Sequence, residues 1–244
     1  MSLLINDELI WVSIPKNASY SIEESLINSN LKINHSSVFY SIKKINESIG
    51  SDRIPHPHVE LEKLKVEFGN KETFCIKREI GDRFKASIEF IFSTIINENK
   101  HTPIIPISEI DNNFIYSFFD LENINNLFDT SLQQQKSWFQ TYNKLIKEDL
   151  KFSDVYYDTY QNLGALLPQN FFTNSKKCTY EFDISNLDEY VLFMKDKFNV
   201  NIKVKKINRS TNKNESNIEN NTEFKNWVFD NFEKRFEVNN KKII

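Results

Sequence analysis

Apolar residues in this chain gather in short runs, separated by longer segments in which they recur every three or four positions. ELIWVSI, residues 8–14, is an apolar run stopped by Pro15, which has no N–H to give a ladder. It predicts a buried strand. ETFCIK (72–77) alternates and then turns apolar, and predicts a second core strand. KCTYEFD (177–183) predicts a third, and NIKVKKI (201–207) a short edge strand.

The intervening segments have helical spacing. SIEESLINS (21–29) puts Ile22, Ser25, Leu26 and Ser29 on one side, with acids in the first turn, where the helix dipole favours them. DRFKASIEFIFSTII (82–96) spaces Phe84, Ile88, Ile91, Phe92 and Ile95 along one face, with Asp82 as its N-cap. Residues 104–163 are rich in aromatics and predict mostly helix, and SNLDEYVLFMKDKF (185–198) predicts another. TEFKNWVFDNFEKRF (222–236) is amphipathic through Phe224, Trp227, Val228 and Phe232, after a polar loop at 208–221. No repeat or linker interrupts the chain, so one domain is expected over 1–244. Strands alternating with helices predict an α/β layer fold on a central parallel sheet. Ligands of such folds gather at the carboxyl ends of strands, where Lys16 and Arg78 fall.

Composition narrows the function. The formal net charge of −3 offers no excess cation to a polyanion, so no nucleic-acid partner is expected and any basic function must be local. With only four glycines, tight turns must lean on Asn, Asp and Ser. Cys75 and Cys178 both sit in apolar, strand-like runs and read as buried thiols, with a disulfide as the lesser alternative. No metal-ligand spacing, signal peptide or membrane-length apolar run is present, and a cytoplasmic protein of a microbe or a virus-infected cell is expected.

Three segments carry candidate chemistry. IPKNASYSI (14–22) leads from a strand into a helix, a place where backbone N–H groups and the helix dipole converge on an anion and Lys16 adds a full charge. It lacks the glycines and the lysine–serine pair of a Walker A loop, and an ordinary turn is the competing reading. FCIKREIGDRFKASIEF (74–90) repeats the arrangement with Arg78 at a strand end, although Arg78 paired to Glu79 or Asp82 would explain it equally. IPHPHVELEKL (54–64) sets His56 and His58 two apart on extended chain, so both can face one cleft and either can serve as a general base near neutral pH. Two exposed loop histidines, or a zinc site without further ligands nearby, are the alternatives, and Glu60 is a fallback base.

These segments, in this order, resemble the sulfotransferases, especially the carbohydrate branch. PKNASYS is similar to the family's 5′-phosphosulfate loop, and the stretch from Arg78 to Arg83 and Ser87 resembles its 3′-phosphate motif. His-x-His between them is similar to the catalytic element of uronyl 2-O-sulfotransferases. Weaker likeness extends through the Gln-containing stretch at 166–194 and the basic loop KKINRSTNK (205–213). The resemblance implies a three-layer, P-loop-like fold and transfer of a sulfonate group from 3′-phosphoadenosine 5′-phosphosulfate to a hydroxyl acceptor, expected to be a glycan, without a metal. It assigns donor binding to Lys16, Asn17, Ala18, Ser19, Tyr20, Ser21, Arg78, Ser87 and Arg209. Lys16 would stabilise the leaving phosphate, and His58 or His56 would be the base. The chain departs from the pattern at Tyr20, where the family has Thr, at Ile80, where it has Pro, and at Ala86, where it has the serine that here follows as Ser87. A catalytically inactive sulfotransferase-like binder and a P-loop phosphotransferase are the other functions weighed.

Overall fold

The computed structural model describes residues 2–48, 58–98, 107–119, 165–173, 176–205 and 216–234. They group into two compact units, Met1–Arg78 with Gln169–Thr211, and Glu79–Pro168 with Asn212–Ile244.

The first unit is built on a five-stranded sheet of order β3-β1-β2-β4-β5. Its strands are β1 (Leu3–Ile5), β2 (Leu9–Trp11), β3 (Ile33–His35), β4 (Glu72–Lys77) and β5 (Tyr180–Asp183). β2, β4 and β5 run parallel, with Trp11 opposite Phe74 and Lys77 opposite Asp183. The sheet is nevertheless mixed, because β1 pairs antiparallel with both β2 and β3. The expected central parallel sheet is thus present in β2, β4 and β5, with β1 and β3 added antiparallel on one side. β1 and β2 are joined by a three-residue connection between Ile5 and its partner Leu9, with a tight turn at Asn6-Asp7, both left-handed (φ 47° and 59°), closed by Glu8 N–H donating to Ile5 O at 2.9 Å. Asn and Asp here take the role glycine usually fills, as does Asn199 (φ 55°) at the end of a later helix.

The helices of this unit are α1 (Ser19–Ile27), α2 (Ser37–Ser48) and α3 (Leu61–Phe68) and, later in the chain, α6 (Gln169–Thr173) and α7 (Leu187–Phe198). Alternation divides the strands cleanly. Leu9 and Trp11 of β2 and Phe74 and Ile76 of β4 join Ile22 and Leu26 of α1 and Tyr190 and Met194 of α7 in one apolar core. Ile10 and Cys75 turn to the opposite face and are also fully buried, so the sheet is covered on both sides. Residues 201–205 form no strand, which corrects the expected edge strand. Ile202 instead drops out of this extended segment into the core beside α7. Residues 206 and 207 lie outside the described set.

The second unit contains α4 (Ile80–Glu98), α5 (Asn112–Phe118) and α8 (Thr222–Val228), the last running into a wider π-helical turn at Phe229–Glu233. α4 starts two residues before the expected boundary, and its cap is not Asp82. Glu79 Oε1 accepts from Gly81 N–H at 3.2 Å and Glu79 Oε2 from Asp82 N–H at 3.0 Å. The 224, 228, 232 spacing works as expected, with Phe224, Val228 and Phe232 all buried and Phe232 packed 4.6 Å from Phe84 between ring centres. Of the aromatic middle segment at 104–163, residues 107–119 are described, with a 3₁₀ turn at Ile107–Glu109 and α5 as their helices.

Candidate functional site

β2 and β4 are parallel neighbours, so their carboxyl ends open on the same edge, and each is followed by a candidate anion-binding residue. Pairing continues past β2, with Val12 N–H donating to Phe74 O at 2.8 Å. The chain then turns: Asn17 N–H donates to Ile14 O at 3.3 Å and Ser19 Oγ to the same carbonyl at 2.7 Å. Lys16 and Ala18 are both left-handed, with φ 65° and 57°. Ala18 occupies the N-cap position of α1 and its methyl side chain offers no cap. The turn thus leads directly into a helix N-terminus, whose dipole favours an anion.

Left-handed geometry at a residue with a Cβ costs about 1–2 kcal/mol. The turn is kept in it by Asn17, which is 2% exposed and donates through Nδ2 to Ile76 O at 2.8 Å and to Gln169 Oε1 at 2.6 Å. Gln169 also engages the end of β4. Its Oε1 accepts from Arg78 N–H at 3.1 Å and its Nε2 donates to Arg78 O at 2.8 Å. Arg78 in turn donates from Nη1 to Lys16 O at 3.2 Å. Two segments 62 residues apart in the chain are thus in direct contact, with a lysine and an arginine at one sheet edge.

The remaining candidates fall as follows. Ser21 is buried on the inner side of α1. Tyr20 is 46% exposed. In the second unit Ser87 is fully buried, and its hydroxyl lies 2.8 Å from Ala165 O and 3.0 Å from Arg83 O. Arg83 is also buried and donates from Nη2 to Ala165 O and Leu167 O, holding that turn. Ala86, one position earlier, is half-buried. His56 and Arg209 lie outside the described residues.

His58 is half-buried and sits beside the segment joining β2 to the turn. Its Nδ1 is 3.1 Å from both Ser13 Oγ and Ser13 O, and its ring meets Phe172 edge-on at 6.1 Å. In the tautomer whose Nδ1–H donates to the Ser13 carbonyl, Nε2 is the basic nitrogen, whereas Ser13 Oγ donating to Nδ1 would leave the proton on Nε2. Ser13 is itself fixed from behind, since its N–H donates to Ser2 Oγ at 3.2 Å. Glu60 pairs with Lys63 at 2.6 Å on the surface of α3.

Cys75 and Cys178 are free and buried, as expected. The hydrogen bond to Cys178, together with burial, pushes the Cys75 thiol far above its ordinary range, so it is inert as a nucleophile. Among the described residues no three His, Cys, Asp or Glu side chains converge as a metal site would require, and no helix is long and apolar enough to cross a membrane.

Gln169 and Ser13 are the residues that sequence patterning did not assign. A glutamine inside the apolar run LLPQNFF was the available signal for the first, since a polar side chain there must find buried partners. No family model matches the chain, and no curated protein or solved structure does.

Proposed function

We propose that the chain is a sulfotransferase of the carbohydrate type, moving a sulfonate group from 3′-phosphoadenosine 5′-phosphosulfate to a hydroxyl of a glycan on a P-loop-like fold. The contact between Arg78 and Lys16 carries this reading. Two strand-end motifs, each suited to an anion, meet at adjacent parallel strands, as a nucleotide with separate 5′- and 3′-phosphate groups requires.

In this mechanism the start of α1 and the turn before it receive the 5′-phosphosulfate. The acceptor oxygen attacks sulfur in line, the S–O bond to the 5′-phosphate breaks, and the charge gathering on that phosphate oxygen is met by the Lys16 ammonium. His58 takes the acceptor's proton at Nε2, in the tautomer whose Nδ1–H donates to Ser13 O. Arg78 binds the 3′-phosphate through its guanidinium fork. His56 and Arg209 retain the roles the family resemblance gives them, as alternative base and as donor-closing cation.

A second reading, a binder without turnover, is favoured by Ser87, whose hydroxyl is directed at protein carbonyls. One experiment addresses both. Adding 3′-phosphoadenosine 5′-phosphate should raise the melting temperature, by mass action, while ATP leaves it unchanged. Sulfonate transfer from the labelled donor to an oligosaccharide panel should then follow. Binding without transfer would select the second reading, and a response to ATP alone would sink both.

A further inference from the structure

Arg78 is the first residue beyond the sheet. The β4–β5 ladder ends at Lys77 opposite Asp183, and the β2–β4 pairing ends with Val12 on Phe74. The main-chain N–H and C=O of Arg78 are held by one side chain, that of Gln169. A carboxamide has an oxygen that can accept twice and a nitrogen that can donate twice. Gln169 uses both halves. Oε1 accepts from Asn17 and from Arg78 N–H, while Nε2 donates to Arg78 O. Because Asn17 also donates to Ile76 O, the turn, the last residues of β4 and α6 form one closed hydrogen-bonded ring. Gln169 is 8% exposed, so little water competes for these bonds.

The sheet itself does not need this ring. β4 is paired with β2 up to Phe74 and with β5 up to Lys77, and α6 is anchored by buried Phe171 and Phe172. What the ring adds is a fixed position of Arg78 relative to the Lys16 turn. Resting on the nucleotide reading above, we propose that Gln169 is a positioning residue that sets specificity. By fixing the spacing of the two cations, it makes the site prefer a nucleotide with separate 3′- and 5′-phosphates over one with a 5′-phosphate alone.

The test compares the full-length wild type with Gln169→Leu and Gln169→Glu. Leu removes all three bonds, whereas Glu keeps the shape and the accepting oxygen but loses the donation to Arg78 O. Calorimetry measures the dissociation constants of 3′-phosphoadenosine 5′-phosphate and of adenosine 5′-phosphate, with circular dichroism to check folding. The wild type should prefer the bisphosphate by tenfold or more. Both variants should bring that ratio down to within about threefold of unity, chiefly by weakening the bisphosphate. If Leu fails to fold, the ratio for Glu decides. Variants that weaken both nucleotides equally and keep the wild-type ratio would show Gln169 to be merely structural and overturn the proposal. Wild-type binding of both nucleotides with no preference would overturn it too. A wild type that binds neither would instead refute the nucleotide reading on which it rests.

Discussion

Replacing Gly81 by alanine sets two local effects of opposite sign against each other. Gly81 lies in the first turn of α4, where alanine should gain about 1 kcal/mol of helix propensity. A Cβ there, however, would fall 1.9 Å from Asn220 Oδ1 and 3.1 Å from Lys225 Cγ. Asn220 would have to swing away. It is held by donating from Nδ2 to Glu79 Oε2 at 2.9 Å and to Asp82 Oδ1. One of these bonds is half-buried and the other exposed, so losing both should cost about 2–3 kcal/mol, less than the roughly 3–6 kcal/mol of two such bonds to charged groups because solvent screens them. Gly81→Ala should therefore destabilise by about 1–2 kcal/mol net, and each kcal/mol is worth about 2–4 °C in a chain of this size.

The sign should reverse once the obstacle is gone. In an Asn220→Ala background those two bonds are already lost, and Gly81→Ala should stabilise by about 1 kcal/mol. Urea denaturation of the four proteins in the cycle measures both steps. The same sign of effect in both backgrounds would refute the steric account of Gly81.

Arg78→Ala should abolish most of the melting-temperature rise produced by 3′-phosphoadenosine 5′-phosphate, and an unchanged rise would exclude Arg78 from the site. His58→Ala should lower turnover about 10²–10⁴-fold with nearly unchanged nucleotide binding. If His58→Ala and His56→Ala both retain wild-type turnover on an accepted sugar, the base lies elsewhere and Glu60 is next. His35, stacked on Phe39 at 4.0 Å, has its pKa lowered from the ordinary 6.5 by burial, only partly offset by the charge of Glu23. The unfolded chain therefore binds this proton first. Stability should be full above about pH 6.5 and fall as pH drops through the lower folded value, and His35→Gln should flatten that part of the stability–pH curve.

The strands and helices legible in the sequence were those whose own residues dictate them. ETFCIK became β4 without a shift at either end, and the Phe224–Val228–Phe232 spacing packed as a helical face should. β1 and β3 were not read, because three residues carry too little alternation to stand out. Yet LLINDELI holds a hairpin signal in retrospect: two apolar runs around Asn-Asp, where the chain has no glycine to mark the turn. At the site, the neighbouring strand ends followed from the α/β alternation, since parallel strands bring their carboxyl ends together. The role of Gln169 did not, because its partners lie 91 and 152 residues away and nothing local in LLPQNFF specifies them. Asp82 read as a cap because Asp is the commoner capping residue. The helix begins two residues earlier, and the longer Glu79 reaches the N–H groups of Gly81 and of Asp82 itself.

The left-handed Lys16 and Ala18 have a kinetic consequence. A glycine-rich phosphate loop samples many backbone shapes and must settle around its ligand. Here a lysine and an alanine, with far fewer shapes open to them, flank an asparagine already bonded to Ile76 and Gln169. An incoming anion therefore meets a surface formed in advance and spends little binding energy on ordering it. Association should be a single phase, linear in ligand concentration, without a slow closing step. Its rate should be governed by encounter and steered by the two cations, falling as added salt shortens the reach of their field.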